Sequence, residues 1–270
     1  MMGKGPLIIF SVLLSLIAPL ALAAQHLTLT GSSTIAPLVL EIGKRFEQQN
    51  PGVRVDVQTG GSSRGINDAR TGLADIGMVS RALHETEADL TAYTIAMDGV
   101  CMILHRDNSI DVLSNDQIRD IYTGKTRNWR ELGGADLPIT VVNKAEGRST
   151  LELFLGYFGL KNSQIRASVV IGDNQQGIKT VVGNPGAIGY VSIGTAEYEE
   201  QHGLPLKRLR MNAIDASTAQ VRAGRFPLSR PLNLVTQGEP KALVLRFIRF
   251  AQSPDVDDLV EGQFLVPLEH

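Results

Sequence analysis

The stretch Gly31-Ser32-Ser33-Thr34-Ile35-Ala36-Pro37-Leu38 marks the point where an apolar segment at residues 27–29 gives way to a helical pattern. Leu38, Ile42 and Phe46 lie four residues apart, and that spacing predicts an amphipathic helix. The turn between the two segments is rich in small hydroxyl side chains. The sequence therefore predicts the order strand, polar turn, helix, which is the building unit of an α/β fold.

The same order repeats along the rest of the chain. Val53, Val55 and Val57 alternate with polar residues and predict a half-buried strand. Further apolar runs predict strands, and periodic segments between them predict helices. Strands that alternate with helices predict an α/β protein with mainly parallel sheets. The other predicted strands are residues 73–79, 100–104, 139–142, 187–191 and 232–235, and the other predicted helices are residues 114–122, 150–158, 175–182 and 241–251.

The composition describes a protein that can bury a core and carries little net charge. The 270 residues are 43% hydrophobic, with 26 basic against 28 acidic side chains, so the chain is not intrinsically disordered. A net charge of −2 gives no general attraction for nucleic acid or for an anionic membrane. We therefore expect no nucleic-acid partner, and any anion must be held by local groups.

Cysteine and histidine usage predicts neither a metal site nor a cofactor. Cys101 is the single cysteine, so an intramolecular disulfide and a thiolate metal cluster are both impossible. It lies in the apolar run at residues 100–104, where it is expected to be a small buried hydrophobic residue. The five histidines are scattered without the spacing of metal ligands.

The N-terminus has the pattern of an export signal. Lys4 precedes an apolar run at residues 7–20, which is followed by Ala21-Leu22-Ala23. A basic start, a short hydrophobic run and an Ala-x-Ala site predict a secretory signal peptide over residues 1–23. The run is too short and too interrupted for a membrane anchor. The mature protein is therefore expected in the periplasm or secreted from the cell.

Three polar turns between strands and helices are candidates for one shared anion site. They are Gly31-Ser32-Ser33-Thr34, Gly60-Gly61-Ser62-Ser63-Arg64-Gly65 and Glu146-Gly147-Arg148-Ser149-Thr150. Each turn would direct backbone N–H groups and hydroxyls from a helix N-terminus, where the helix dipole favours an anion. Ser and Thr before a helix are often simple caps. Three such turns in one chain nevertheless favour a dehydrated oxyanion held by many neutral donors.

Charged side chains in or beside these turns could complete the site. Arginine and lysine would supply positive charge to the oxyanion. Asp98 and Glu146 would either orient the cations through ion pairs or accept a ligand proton, which phosphate carries and sulfate lacks at neutral pH. The candidate cations are Arg64, Arg81, Lys144 and Arg148.

Six fragments of the sequence occur in one specific order. They are Gly31-Ser32-Ser33-Thr34-Ile35-Ala36-Pro37-Leu38, Gly60-Gly61-Ser62-Ser63-Arg64-Gly65-Ile66, Asp75-Ile76-Gly77-Met78-Val79-Ser80-Arg81, Tyr122-Thr123-Gly124-Lys125 with Asn128-Trp129, Gly186-Ala187-Ile188-Gly189-Tyr190-Val191 and Pro227-Leu228-Ser229-Arg230-Pro231-Leu232. In this order the fragments resemble the phosphate-binding proteins of bacterial ABC importers, a branch of the periplasmic binding-protein superfamily. The resemblance covers nearly the whole mature chain.

The resemblance implies two α/β lobes joined by a hinge, with phosphate held in the cleft between them. On this basis we place the first lobe at residues 24–106 and 230–270, and the second lobe at residues 107–229. The resemblance also implies a monomeric solute-binding protein and not an enzyme. Such a protein captures inorganic phosphate and delivers it to the permease and ATPase subunits of an ABC importer.

Matching to the family's motifs assigns phosphate-binding roles to the three turns and to one strand end. Ser80 stands where better-known members carry a phosphate-accepting aspartate. The third turn departs from the family pattern Arg-x-Asp/Glu-Gly-Ser-Gly-Thr, since Lys144 replaces the arginine and Arg148-Ser149 replaces Ser-Gly. Arg148 could restore the bidentate fork that lysine lacks. The implied phosphate-binding residues are Ser33, Thr34, Ser62, Ser80, Arg81, Lys144, Glu146, Gly147, Arg148, Ser149 and Thr150.

Three alternatives stay open beside phosphate transport. The altered third turn is compatible with a different oxyanion, and the same fold could serve a secreted protein that binds a surface or a matrix. Gly61-Ser62-Ser63-Arg64-Gly65 also matches the Gly-x-Ser-x-Gly turn of serine hydrolases. That interpretation would make Ser63 a nucleophile, with Asp173 and His202 as its partners.

Overall fold

The computed structural model describes residues 25–270 and begins with three strands and two helices. These are β1 (Gln25–Gly31), α1 (Ala36–Gln49), β2 (Val53–Thr59), α2 (Ser62–Thr71) and β3 (Ile76–Val79). β1 pairs in parallel with β2 and with β3, so all three strands end at the same edge of the sheet. The order strand, turn, helix that the opening stretch predicted is confirmed.

The remaining strands and helices follow along the chain, beginning with one long strand. The fourth strand runs over 16 residues, whereas the sequence analysis predicted a strand only at residues 100–104. Residues 90–99 contain Thr, Ala and Asp without a clean alternation of apolar and polar side chains, which hides their strand character. The elements are β4 (Leu90–His105), α3 (Asn115–Tyr122), β5 (Thr140–Lys144), α4 (Ser149–Phe158), β6 (Val169–Ile171), α5 (Asn174–Val182), β7 (Ala187–Ser192), α6 (Ile193–Gln201), β8 (Leu206–Arg208), α7 (Thr218–Arg222), β9 (Ser229–Gln237), α8 (Ala242–Ala251) and α9 (Asp257–Gly262).

The strands form one mixed sheet in the order β2-β1-β3-β9-β4-β7-β5-β6, with β8 paired to β4. Pairing is parallel on both outer sides, where β1 joins β2 and β3, and where β5 joins β6 and β7. It is antiparallel in the middle, where β4 and β9 pair with each other and with their neighbours. The predicted α/β fold is confirmed. Its sheet is mixed and not mainly parallel, because β4 and β9 run in opposite directions through its centre.

The two largest hydrophobic cores of residues 25–270 define two lobes. The first core packs α1 and α8 against the sheet, with Phe46 and Phe247 in edge-to-face contact at 5.2 Å between ring centroids. The second core surrounds Trp129 and the stacked rings of Phe154 and Tyr190, whose centroids lie 4.1 Å apart. The first lobe consists of the elements around the first core, and the second lobe of those around the second core.

β4 and β9 connect the two lobes. Ala96 on β4 belongs to the first core, whereas Val100 on the same strand belongs to the second. The chain changes core again between Leu228 and Leu232, and the two strands pair directly at this crossing. The residue boundaries given above for the lobes, at 106/107 and 229/230, stay a prediction.

The described residues begin after the predicted signal peptide. The signal peptide at residues 1–23 lies outside the described residues. Within residues 25–270, no helix has both the length and the apolar composition needed to cross a bilayer.

Cys101 is buried in β4, as predicted, and burial raises the pKa of its thiol to about 12. A thiol in that setting stays protonated and packs as a small apolar side chain.

Candidate functional site

A small cavity lies where strand ends of the two lobes face one another. In the first lobe β3 ends at it and α2 begins there, and in the second lobe β5 ends at it and α4 and α5 begin there. The space open to the centre of a water molecule is about 10 Å³, which is room for about one water. The N-terminus of a helix has unpaired backbone N–H groups and a partial positive charge, so three helix N-termini around one cavity favour an anion. The lining residues are Ser32, Ser33, Thr34, Gly61, Ser62, Ser80, Lys144, Arg148, Ser149, Thr150, Gly172 and Asn174.

Eight of the eleven residues that the sequence analysis selected line this cavity. They come from all three polar turns and from the end of β3, which are far apart in the sequence. Their convergence makes one shared site geometrically possible, while their binding of a ligand stays a prediction. The eight residues are Ser33, Thr34, Ser62, Ser80, Lys144, Arg148, Ser149 and Thr150.

Three selected residues, Arg81, Glu146 and Gly147, do not line the cavity. Glu146 is exposed, and its carboxylate accepts a hydrogen bond from Asn162 Nδ2 at 2.9 Å instead of orienting a cation. The Gly147 carbonyl accepts a hydrogen bond at 3.2 Å from the backbone N–H of Ser63, which belongs to α2 in the first lobe. Gly147 therefore joins the two lobes beside the site.

Arg81 forms an ion-pair bridge between the lobes. Its terminal nitrogens donate to Glu87 at 2.7 and 2.8 Å, and its Nε donates to Glu152 Oε2 at 2.6 Å. Glu87 belongs to the first lobe, whereas Glu152 lies in the first turn of α4 in the second lobe. His84 Nε2 lies 3.2 Å from the same oxygen of Glu152. The positive charge of Arg81 is therefore neutralised by two carboxylates, and the ion pairs join the two lobes next to the cavity.

Arg230 is a buried cation behind the cavity that the sequence analysis did not assign to the site. Its side chain is fully buried, with 0% of its surface exposed. Nη1 donates to Thr150 Oγ1 at 2.9 Å, and Nη2 donates to Thr34 Oγ1 at 3.3 Å. Thr34 belongs to the first lobe and Thr150 to the second. One guanidinium therefore orders hydroxyl groups on both sides of the cleft.

Asp98 neutralises Arg230 and fixes its position. Asp98 Oδ2 accepts hydrogen bonds from Arg230 Nη2 at 2.8 Å and from Nε at 3.1 Å. Asp98 Oδ1 accepts from Ser192 Oγ at 3.0 Å and from the Gly194 N–H at 3.3 Å. Asp98 and Arg230 face each other in the antiparallel register of β4 and β9. The sequence contains both residues in recognisable segments, but the register that pairs them could not be predicted from local patterns.

Four hydroxyl groups around the cavity accept hydrogen bonds from the protein behind them. Thr34 and Thr150 accept from the buried guanidinium described above. Ser80 Oγ accepts from Ser32 Oγ at 2.9 Å, and Ser62 Oγ accepts from the Ser80 backbone N–H at 3.2 Å. Each hydroxyl has a single proton to donate. Since these oxygens are engaged from behind, their protons are free to point into the cavity, toward an anion.

Lys144 and Arg148 bring positive charge to the cavity wall. Lys144 is buried, and its Nζ donates to the neutral Asn174 Oδ1 at 3.0 Å. Burial, and next the positive charge of Arg230, lower the pKa of the Lys144 ammonium to about 7. In the described part of the chain, Arg148 Nε is buried without a hydrogen-bond partner. Both cations can therefore gain a favourable partner from an anion in the cavity.

The structure does not support a serine hydrolase site at Ser63. Asp173 caps α5 by accepting a hydrogen bond from the Gln176 N–H at 2.8 Å. The ring of His202 stacks on Tyr198, and its Nδ1 lies 2.7 Å from the Tyr198 carbonyl oxygen. Among residues 25–270, no hydrogen bond joins any two of Ser63, Asp173 and His202. The same residues contain no group of three or more His, Cys, Asp or Glu side chains that could hold a metal ion.

The protein has the features of the class of two-lobed binding proteins. It consists of two α/β lobes connected by a pair of strands, and a cavity that favours an anion lies in the cleft between them. Residues 18–255 match a PBP superfamily domain, and this match spans most of the chain. The protein belongs to the PBP superfamily, the superfamily of periplasmic binding proteins that its sequence fragments resemble.

Similar proteins are named for phosphate and its transport. The phosphate-binding protein PstS of Bacillus subtilis (strain 168) is 29% identical over 252 residues, which cover 91% of this chain and 82% of the relative. A Clostridium perfringens structure, described as a phosphate ABC transporter substrate-binding protein with bound phosphate, is 32% identical with a TM-score of 0.83, covering 91% of this chain and 100% of that one. An ABC-type phosphate transport receptor from Vibrio cholerae is 27% identical with a TM-score of 0.74, covering 90% of this chain and 100% of that one.

Proposed function

We propose that this protein captures inorganic phosphate in the cavity between its lobes and delivers it to an ABC importer. One observation carries this proposal: helix N-termini, hydroxyl donors and two cations line the cavity, and no carboxylate of residues 25–270 does. Such a lining can replace the water around a small, highly charged oxyanion. The names of the similar proteins support phosphate as that oxyanion.

The proposed roles follow from the contacts around the cavity. Hydroxyls from both lobes would donate hydrogen bonds to phosphate, and Lys144 and Arg148 would supply positive charge. Arg230 would hold two of the hydroxyls in place from behind, and Arg81 would act through lobe closure instead of touching the ligand. The proposed hydrogen-bond donors are Ser33, Thr34, Ser62, Ser80, Ser149 and Thr150.

Closure about the connection between the lobes would trap the ligand. We propose the lobes as residues 24–106 with 230–270, and residues 107–229, and the change of core along β4 supports a hinge near these boundaries. Phosphate would stabilise the closed state because it contacts both lobes only there. The protein would act in the periplasm as a monomer without catalysis or cofactor, and the permease and ATPase subunits of the importer would be its partners.

Isothermal titration calorimetry on residues 24–270 tests this function. The protein is first stripped of bound ligand by partial unfolding and refolding, and phosphate, sulfate and molybdate are then titrated in parallel near neutral pH. Tight binding of phosphate supports the proposal. Absence of phosphate binding by correctly folded protein would refute it. In that case binding of molybdate or sulfate would identify a different oxyanion receptor, and binding of none would favour the surface-binding alternative.

Glu152→Gln is expected to weaken phosphate binding about tenfold, which corresponds to about 1.4 kcal/mol. Glu152 bridges the lobes through Arg81, and the uncharged amide removes that ion pair from the closed state. The carboxylate is 30% exposed, so the effect should be smaller than for a fully buried pair. Calorimetry measures the affinity of the variant, and thermal unfolding shows whether its fold is intact.

Asp89→Asn is the matched control for the lobe bridge. It also removes an ion pair with an arginine, Arg70, but both partners belong to the first lobe. The phosphate affinity of this variant should equal that of the unaltered protein. An equal loss of affinity in the Asp89 and Glu152 variants would contradict a role for the bridge in closure.

Above about pH 7 the phosphate affinity is expected to fall, by up to about tenfold per pH unit. The free protein then loses the Lys144 proton, because the pKa of this ammonium is lowered to about 7. A bound dianion favours the charged ammonium, so the complex keeps a proton that the free protein has lost. Binding therefore takes up a proton above about pH 7, and a binding reaction that takes up a proton weakens as the pH rises. Arg230, Arg148 and Asp173 are the other charges acting on this group.

Lys144→Met separates this effect from the titration of phosphate itself. Affinities are measured between about pH 7.5 and 9, in two buffers of different ionisation enthalpy, so that proton uptake is read directly. The variant should bind more weakly at pH 7.5 and lose both the proton uptake and most of the decline with pH. A variant that retains the full decline would exclude Lys144 as its source.

A further inference from the structure

We propose that Ser149 Oγ, besides donating its own proton, accepts a hydrogen bond from the O–H group of the HPO₄²⁻ ligand and thereby admits phosphate to a cavity otherwise built of donors. This inference rests on the proposed function, since it concerns how the same cavity recognises phosphate. At neutral pH the phosphate dianion carries one proton and sulfate carries none. A site that binds phosphate well must therefore offer one hydrogen-bond acceptor among its donors, because an unsatisfied buried O–H group is unfavourable.

A carboxylate cannot take this role in the cavity. No Asp or Glu of residues 25–270 lines it. Asp98, which lies behind Arg230, is engaged by that guanidinium, by Ser192 and by the backbone of Gly194. Lys144 and Arg148 are donors when charged. The acceptor must therefore be a neutral oxygen.

Most neutral oxygens in the lining are already engaged. Asn174 Oδ1 accepts from Lys144 Nζ at 3.0 Å. Ser32 Oγ accepts from the Thr34 N–H at 3.2 Å and donates to Ser80 Oγ at 2.9 Å. The hydroxyls of Thr34, Ser62, Ser80 and Thr150 each accept a hydrogen bond from the protein behind the cavity, which leaves their protons available to donate to the ligand.

Ser149 is different from every one of these groups. It is the first residue of α4, only 2% of its surface is exposed, and it lines the cavity. Among residues 25–270, its Oγ has neither a donor nor an acceptor. The remaining lining hydroxyl, Ser33, is half-buried, so water can satisfy it. Ser149 is therefore the buried hydroxyl whose lone pairs are available to a ligand proton.

Ser149→Ala tests the proposal through the ratio of two affinities. Without Ser149 Oγ, the phosphate O–H would lose its acceptor, and phosphate affinity should fall about tenfold or more. Bound sulfate would lose only one of its many hydrogen-bond donors, so the affinity of the protein for sulfate should change less than about threefold. Calorimetry gives the phosphate affinity, and competition against phosphate gives the weaker sulfate affinity. The N-cap position of α4 is Arg148, so this variant keeps the helix start, which thermal unfolding checks.

Ser62→Ala is the matched control, because Ser62 is also the buried first residue of a helix and its hydroxyl is oriented as a donor. The Ser62→Ala substitution should lower the affinities for phosphate and for sulfate by the same factor. Ser149→Thr keeps the hydroxyl and should keep the phosphate-to-sulfate ratio within about threefold of the unaltered value. A Ser149→Ala variant that lowers both affinities equally, or changes neither, overturns the proposal. An unaltered protein that binds no phosphate instead overturns the proposed function, and with it this inference.

Discussion

Arg230→Met is expected to abolish measurable phosphate binding and to lower the free energy of unfolding by about 3–5 kcal/mol. The guanidinium is fully buried and donates to Thr34 in the first lobe and to Thr150 in the second. Its removal leaves the Asp98 carboxylate, 1% exposed, without its countercharge. The two threonine hydroxyls would also lose the donor that orients them toward the ligand. Chemical denaturation and calorimetry measure the two effects separately.

A double variant, Arg230→Met with Asp98→Asn, separates the two effects. Asparagine keeps an oxygen that can accept from Ser192 and Gly194, and it leaves no unpaired buried charge. Most of the lost stability should return, while phosphate binding should stay absent because the hydroxyls are still unsupported. Restored binding in the double variant would show that Arg230 serves only to neutralise Asp98.

Gly61→Ala is expected to weaken phosphate binding more than about hundredfold, which corresponds to about 2.8 kcal/mol. A Cβ at this position would lie 2.5 Å from the Gly147 carbonyl oxygen and 2.9 Å from Arg148 Cδ, both in the opposite lobe. The collision exists only when the lobes are closed, so the open state remains accessible and the ligand can no longer be enclosed. Calorimetry measures the affinity, and small-angle X-ray scattering with saturating phosphate reports whether the variant still becomes compact.

Gly52→Ala is the control for backbone strain. Gly61 has φ +95° and Gly52 has φ +89°, so both substitutions force alanine into a conformation that glycine favours. A Cβ at Gly52 has no heavy atom within 4 Å, which leaves strain as its main effect. Both variants should lose stability, by about 1–3 kcal/mol each, but only Gly61→Ala should lose affinity. Equal affinities of the two variants would show that the contact across the cleft does not limit closure.

The local pattern of the sequence was sufficient to predict the α/β class and most of the elements. Leu38, Ile42 and Phe46 are buried on one face of α1, as their spacing predicted. Ser114 caps α3 and accepts from the Gln117 N–H, as expected for a helix start. Such features depend on neighbours within a few residues along the chain, and those neighbours are visible in the sequence.

The polar turns could also be found in the sequence, because glycine and hydroxyl residues between a strand and a helix have a direct physical meaning. Their position at strand ends was enough to propose a shared site, since parallel strands end at one edge of the sheet. Eight of the residues that the family resemblance assigned to these turns and strand ends line one cavity. The family resemblance added the expectation that the cavity lies between two lobes.

The roles of the charged residues were decided by the tertiary structure alone. Arg81 follows the end of β3 and Arg230 lies in β9, and Arg81 bridges the lobes through Glu152 whereas Arg230 lies behind the cavity beside Asp98. The difference arises from the antiparallel register of β4 and β9 and from the approach of α4 to the first lobe. These contacts join residues that are 71 and 132 positions apart. A charge interacts with whichever groups folding brings near it, so local sequence patterns were sufficient for the fold class and for the candidate hydroxyl donors, whereas the tertiary contacts were needed to show which cations line the cavity.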